Sequence, residues 1–155
     1  MIRGMTWEKR CQSIILPAKP FRGNKYTEYG TKNEPVALRL FAASLPDHKI
    51  QTNFGLCVNF RMPALGYSPD GIMDESVLLE VKCLAVGKRM AGADFADQLT
   101  KKPKYLELSE SGTLILRKDC HFYTQIQFGL AVLDFQIGKL IICRRRYCRR
   151  CSTRQ

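Results

Sequence analysis

The chain has 155 residues, 45% of them hydrophobic and 25% charged, and a formal net charge of +11; this length makes one domain able to bury roughly two thirds of its unfolded surface, and no second domain is needed. It holds no run of about eighteen apolar residues, and the apolar stretch Ile14–Leu16 is too short, and too soon followed by Pro17 and Lys19, for a secretory signal. A soluble intracellular protein, nuclear or cytoplasmic, is therefore expected; seven scattered cysteines fit free thiols in a reducing compartment better than a disulfide framework.

Residues 1–29 are mixed in character. Asn33 is placed to cap a helix running to about Ser44, with Pro35 in the first turn and an apolar stripe of Ala37, Leu40, Phe41 and Leu45. Phe54–Phe60 and Leu65–Tyr67 read as strands. After a turn, Val77–Cys83 follows and completes a three-strand meander that carries Asp70 and Glu80 on adjacent positions. Gly87–Leu99 is ambiguous between a loop and a short helix. Lys104–Leu108 and Thr113–Arg117, joined by Ser109-Glu110-Ser111-Gly112, make a hairpin. His121 to about Leu133 is predicted helical, with Phe122, Ile126, Leu130 and Leu133 on one face, and Ile137–Cys143 is a last strand. The sum is an α/β layout of one helix, a mixed sheet and a second helix.

Charge is concentrated at the end of this order. Residues 139–155 hold seven Lys or Arg and no acid. The Arg144-Arg145-Arg146 and Arg149-Arg150 clusters either form a disordered, solvated tail or add nonspecific contacts to phosphates. Cys143, Cys148 and Cys151 lie close together there, but they lack a paired CxxC partner set and no histidine follows, so zinc is not expected.

Two short stretches carry chemistry: Ser68-Pro69-Asp70-Gly71, then Leu79-Glu80-Val81-Lys82-Cys83. Ser-Pro-Asp-Gly alone is an ordinary turn. Glu-x-Lys alone, on an exposed strand, is an ion pair worth less than about 1 kcal/mol. The combination differs, because Val77–Cys83 reads as a mostly buried strand, and buried strands are otherwise apolar. Alternate side chains share a face, so Glu80 and Lys82 project together while Val81 points into the packing. With Asp70 approaching from the neighbouring strand, two carboxylates and the Val81 carbonyl can hold a hard cation whose other positions go to water and phosphate, a mixture that suits magnesium, with manganese as a substitute. Such an ion activates its water, and a nearby lysine orients hydroxide and stabilises the developing charge.

At these residues the chain resembles the PD-(D/E)XK nuclease superfamily, within it the branch of lambda exonuclease and the YqaJ-like viral recombinases. Gly30-Thr31-Lys32-Asn33-Glu34-Pro35-Val36-Ala37 is similar to that branch's first core helix, whose glutamate faces the site, and His121-Phe122-Tyr123-Thr124-Gln125-Ile126-Gln127 to its tyrosine and glutamine helix. The resemblance covers roughly Tyr26 to Asp134, with all four motifs in the expected order. It implies a restriction-endonuclease-like core in which Asp70 and Glu80 bind metal and Lys82 assists catalysis. Glu34 then contacts metal through water or positions the nucleophile, or else only stabilises the helix N-terminus by a few tenths of a kcal/mol. Tyr123, Gln125 and Gln127, with Ser68 beside the turn acid, are the candidate substrate contacts, Gln125 foremost; the helix segment lines a substrate groove or caps the fold's surface. The implied division is a partial N-terminal region (1–29), shorter or altered where relatives carry basic and hydroxyl residues that hold a DNA end, with Arg10 and Ser13 unassigned candidates for that role, a nuclease domain (30–143) and a basic, disordered tail (144–155). The implied activity is a magnesium-dependent deoxyribonuclease, an exonuclease of recombination or repair, with DNA as partner, no membrane, and a homotrimer by resemblance only. The alternatives are a catalytically inactive, nuclease-derived DNA-binding protein, and a structural domain in which Asp70 and Glu80 point apart.

Overall fold

Asn24 opens the first helix, α1 (Lys25–Ala43), of a computed structural model that describes residues 23–84, 105–110, 114–144 and 147–154. The Asn24 side chain accepts from the Tyr26 and Thr27 amides at 2.8 and 3.0 Å, while Thr27 Oγ1 accepts from the Asn24 amide at 2.6 Å. This reciprocal capping satisfies amides that have no helical partner. The helix therefore begins well before Asn33, where the sequence pattern placed its cap. Asn33 instead donates its side-chain amide to the Tyr29 carbonyl one turn back, at 2.7 Å, and Pro35 lies inside the helix on its exposed side. The expected Gly87–Leu99 segment, and Arg10 and Ser13, lie outside the described residues.

The strands are β1 (Ile50–Gln51), β2 (Cys57–Val58), β3 (Gly66–Tyr67), β4 (Gly71–Met73), β5 (Val77–Cys83), β6 (Leu106–Leu108) and β7 (Leu114–Leu116), then α2 (His121–Leu133), β8 (Ile137–Arg144) and β9 (Tyr147–Arg154). Among the described residues, seven of them form one mixed sheet in the order β1-β4-β5-β8-β9-β7-β6, and β2 pairs with β3 apart from it. The three-strand meander is thus replaced: β5 takes β4, not β3, as its antiparallel neighbour. The expected strand from Phe54 contracts to Cys57–Val58. Asn53 and Gly55 adopt positive φ, and the Asn59 side chain accepts from the Arg61 and Met62 amides, closing a turn where an extended run was expected.

The β4–β5 turn is tight and deliberately held. Asp74 and Glu75 both have positive φ, 51° and 59°, as the central pair of a primed turn requires, and with Ser76 they make the three-residue connection between Met73 and Val77. Neither is glycine, and the surroundings supply compensation: the Asp74 carboxylate accepts from the Lys49 amide at 3.0 Å and pairs with His48 Nδ1 at 2.5 Å. The hairpin β6–β7 and helix α2 form where periodicity placed them, and Asp134 closes α2 in the left-handed conformation.

Residues 147–154, expected as a disordered tail, run instead as β9, antiparallel to β8 from Arg144↔Tyr147 to Ile137↔Arg154. A ladder needs only backbone N–H and C=O groups, so a charged composition does not exclude it. β5 and β8 pair in parallel over the whole of β5. The core lies on both faces of the sheet. On one, Val77, Leu79, Val81 and Ile141 pack against Ala37, Leu38 and Phe41 of α1; on the other, Leu78, Leu140 and Ile142 pack against Phe122, Ile126 and Leu130 of α2. No helix among the described residues is long and apolar enough to cross a membrane.

Candidate functional site

Strand β5 is apolar at its first three positions, all buried, and then places Glu80 at 1% exposure. It is the one buried charged residue among those described. A carboxylate so placed needs partners, since removing an unpaired charge from water costs several kcal/mol or more. Three partners come from three elements. Tyr67 of β3 donates its hydroxyl to Glu80 Oε2, Lys82 of β5 donates to Oε1 at 2.5 Å, and Gln125 of α2 donates its amide to the same oxygen at 2.5 Å. Lys82 Nζ also stands 5.5 Å from the centre of the Phe122 ring, a cation–π contact that holds the ammonium between strand and helix.

Asp70 immediately precedes β4. One step beyond the Gly71↔Leu79 pair, the hairpin register brings it opposite Glu80, and its Oδ2 accepts from the Val81 amide at 2.7 Å. Burial, followed by repulsion from Glu80, pushes the Asp70 carboxyl up to about 7, against the opposing pull of the Val81 N–H and Lys82. Glu34, half-buried on α1, is held above the ordinary carboxylate range by burial; the Lys82 charge opposes that shift and Glu80 adds to it. Burial, together with Glu80, also raises the Tyr67 hydroxyl well above its usual value. A cavity of about 550 Å³ opens beside Glu34 and Lys82, lined among others by Thr27, Thr31 and His121.

The arrangement fits a hard divalent cation. Asp70 and Glu80 stand opposite each other at the end of the β4–β5 hairpin in a partly desolvated place, and a cation brought there would offset the burial and repulsion that raise the Asp70 carboxyl. Among the described residues no three acidic, His or Cys side chains close into a complete cage. An ion here would keep water or substrate oxygens in its remaining positions, which is how magnesium is usually held.

Of the residues expected from sequence, Asp70, Glu80, Lys82 and Gln125 converge, Glu34 lies within electrostatic reach, and Val81 enters through its N–H. Ser68 is exposed in the short segment between β3 and Asp70. Tyr123 packs against the α2-side core, and Tyr123 and Gln127 stand two residues either side of Gln125, about 200° around the helix from it. Gln125 therefore faces Glu80 while those two do not share its direction. Tyr67 escaped the sequence reading. Its signal was present: an aromatic with a polar tip, three residues before the turn aspartate, in a strand that could bury it only by finding the hydroxyl an acceptor.

Residues 5–132 match the family described as the YqaJ-like viral recombinase domain. The fold is similar to that of an alkaline exonuclease, LHK-Exo, from Laribacter hongkongensis, at 18% identity and a TM-score of 0.62, covering 94% of this chain and 66% of that one. The same protein in complex with dAMP matches at 19% identity and a TM-score of 0.63, covering 96% and 65%. A phage-related exonuclease from Haemophilus somnus 129PT matches at 14% identity and a TM-score of 0.54, covering 88% and 53%. The chain thus spans 66% or less of the length of these structures. No curated protein matches significantly. The mixed sheet with a helix on each face agrees with the α/β, restriction-endonuclease-like core expected from the motifs.

Proposed function

The chain belongs to the YqaJ-like viral recombinase domain family, and from this premise we propose that it is a magnesium-dependent deoxyribonuclease, an exonuclease acting on DNA in recombination or repair. The observation that carries the reading is the pairing of Asp70 with the buried Glu80 at the end of a hairpin, with Lys82 on the same face. When bound, a divalent cation lowers the pKa of its water and neutralises phosphoryl charge.

The chain's own residues do the rest. Asp70 and Glu80 supply the carboxylates that would hold the ion, with the Val81 carbonyl as the third protein ligand. Lys82, fixed by Glu80 and the Phe122 ring, orients the attacking water and offsets charge building on the phosphoryl oxygens. Glu34, whose electrostatic coupling to Lys82 and Glu80 supports a place near the ion, would in its ionised form take the proton released by that water. Gln125 holds Glu80 and is the helix residue that would contact the nucleotide. The excess of basic residues favours a polyanionic substrate.

Labelled linear duplex incubated with and without magnesium tests the reading. Metal-dependent shortening from the ends is expected, with Lys82→Ala slower by about 10³-fold, or about 4 kcal/mol in the barrier. Absence of metal-dependent cleavage, or equal cleavage by the variant, rejects it. DNA binding that survives Asp70→Ala and Glu80→Ala, in a parent protein that cuts nothing, would favour the inactive DNA-binding alternative.

A further inference from the structure

Glu80 is held at both oxygens, yet only two of its donors, Lys82 and Gln125, come from the motifs that suggest a nuclease. The third is Tyr67, 7% exposed, whose hydroxyl reaches Oε2. A carboxylate offers about four acceptor positions. Lys82 and Gln125 occupy both on Oε1, and Tyr67 takes one on Oε2, so the position left for a further partner is on the oxygen that Tyr67 addresses.

The Tyr67 ring reaches that point through a gap in α2. A Cβ built on Gly129 would lie 2.7 Å from Tyr67 Cζ, the carbon that bears the hydroxyl, 2.8 Å from Cε1 and 2.8 Å from Leu78 Cδ2. Separations below about 3 Å are not tolerated between packed carbons, which prefer roughly 3.5–4.0 Å. Any larger residue at position 129 would therefore displace the ring or the neighbouring core. The Phe128 ring, edge-on to Tyr67 at 6.3 Å between centroids, borders the same slot.

We propose that Tyr67 is a positioning residue of this site: its hydroxyl, admitted by the missing side chain at Gly129, orients Glu80 and thereby sets the affinity for a divalent cation. The proposal rests on the reading of Asp70 and Glu80 as metal ligands. Outer partners of ligating carboxylates fix their orientation, and losing one typically costs about 10–100-fold in metal affinity. A tyrosine that merely found an acceptor for a buried hydroxyl would affect stability instead.

Calorimetric titration with Mn²⁺ alone, without DNA, separates the two. Tyr67→Phe keeps the ring and is expected to bind Mn²⁺ about tenfold or more weakly than the parent, with cleavage lost at limiting metal and recovered as metal is raised. Gly129→Ala shifts the ring without removing the hydroxyl; it is expected to weaken Mn²⁺ binding likewise and to add little in the Tyr67→Phe background. A Tyr67→Phe protein with parental Mn²⁺ affinity overturns the proposal, whatever its stability, as does a parent that takes up no Mn²⁺. The outcomes are separable from those of the nuclease reading. A parent that binds Mn²⁺, loses affinity on Tyr67→Phe and cuts no DNA upholds the positioning role while rejecting the hydrolase.

Discussion

The two faces of β5 are built from alternate residues of one seven-residue strand and meet opposite requirements. Toward α1, Val77, Leu79 and Val81 meet Ala37, Leu38 and Phe41 in an apolar cluster. Toward α2, Leu78 is followed by Glu80 and Lys82, and the packing turns into a network fed by Tyr67 and Gln125. The difference teaches how a carboxylate is kept in an interior: the polar face supplies its partners, and the apolar face supplies the burial that offsets its desolvation.

Breaking the polar face at its centre should give the largest effect. Glu80→Gln removes the charge with little change in volume and is expected to lower metal-dependent cleavage by about 10³-fold, or about 4 kcal/mol in the barrier, while the unfolding midpoint measured in a chelator stays close to the parent's. Cleavage within tenfold of the parent would dissolve the contrast between the faces.

The mirror experiment is Leu79→Ala, at a fully buried position on the apolar face. It should cost about 2–5 kcal/mol of stability through lost burial and a residual cavity, read from urea unfolding, yet leave the rate per folded molecule near the parent's. A collapse in rate at unchanged stability would show that the faces are not separable.

A smaller effect comes from Asp70. Its carboxyl sits at about 7 in the fold against an ordinary 3.8, so between these values the folded protein binds more protons than the unfolded one. Stability of the metal-free protein therefore falls as pH rises from about 4 to 7, and the penalty is complete above 7. Asp70→Asn escapes it and should be more stable than the parent by about 1–3 kcal/mol at pH 8, the gain vanishing near pH 4. Thermal melts across that range check the sign; added magnesium should stabilise the parent and not the variant.

The parts legible in sequence were those where a short-range pattern and the three-dimensional requirement coincide. Phe122, Ile126 and Leu130 announced α2 because they repeat at the helical period and also face the sheet. Glu80 and Lys82 were visible as charges inside an apolar strand. The start of α1 was hidden because Lys25–Gly30 lacks an apolar stripe, and the helix there depends on the Asn24–Thr27 capping pair, not on burial. β9 was hidden for another reason: its arginines read as solvated, whereas its place beside β8 is set by backbone pairing. Tyr67 was missed because its meaning lies in Gly129 and Glu80, far apart in the chain and joined only by the fold.

Strand β5 is flanked by β4 on one side and, along all seven residues, by β8 on the other. Amides enclosed in this way exchange with deuterated solvent only through the rarest, largest openings. The segment carrying Glu80 and Lys82 thus shares the fate of the whole domain, so heat should extinguish the site in one cooperative step together with the sheet, without a prior stage in which the ligands peel away.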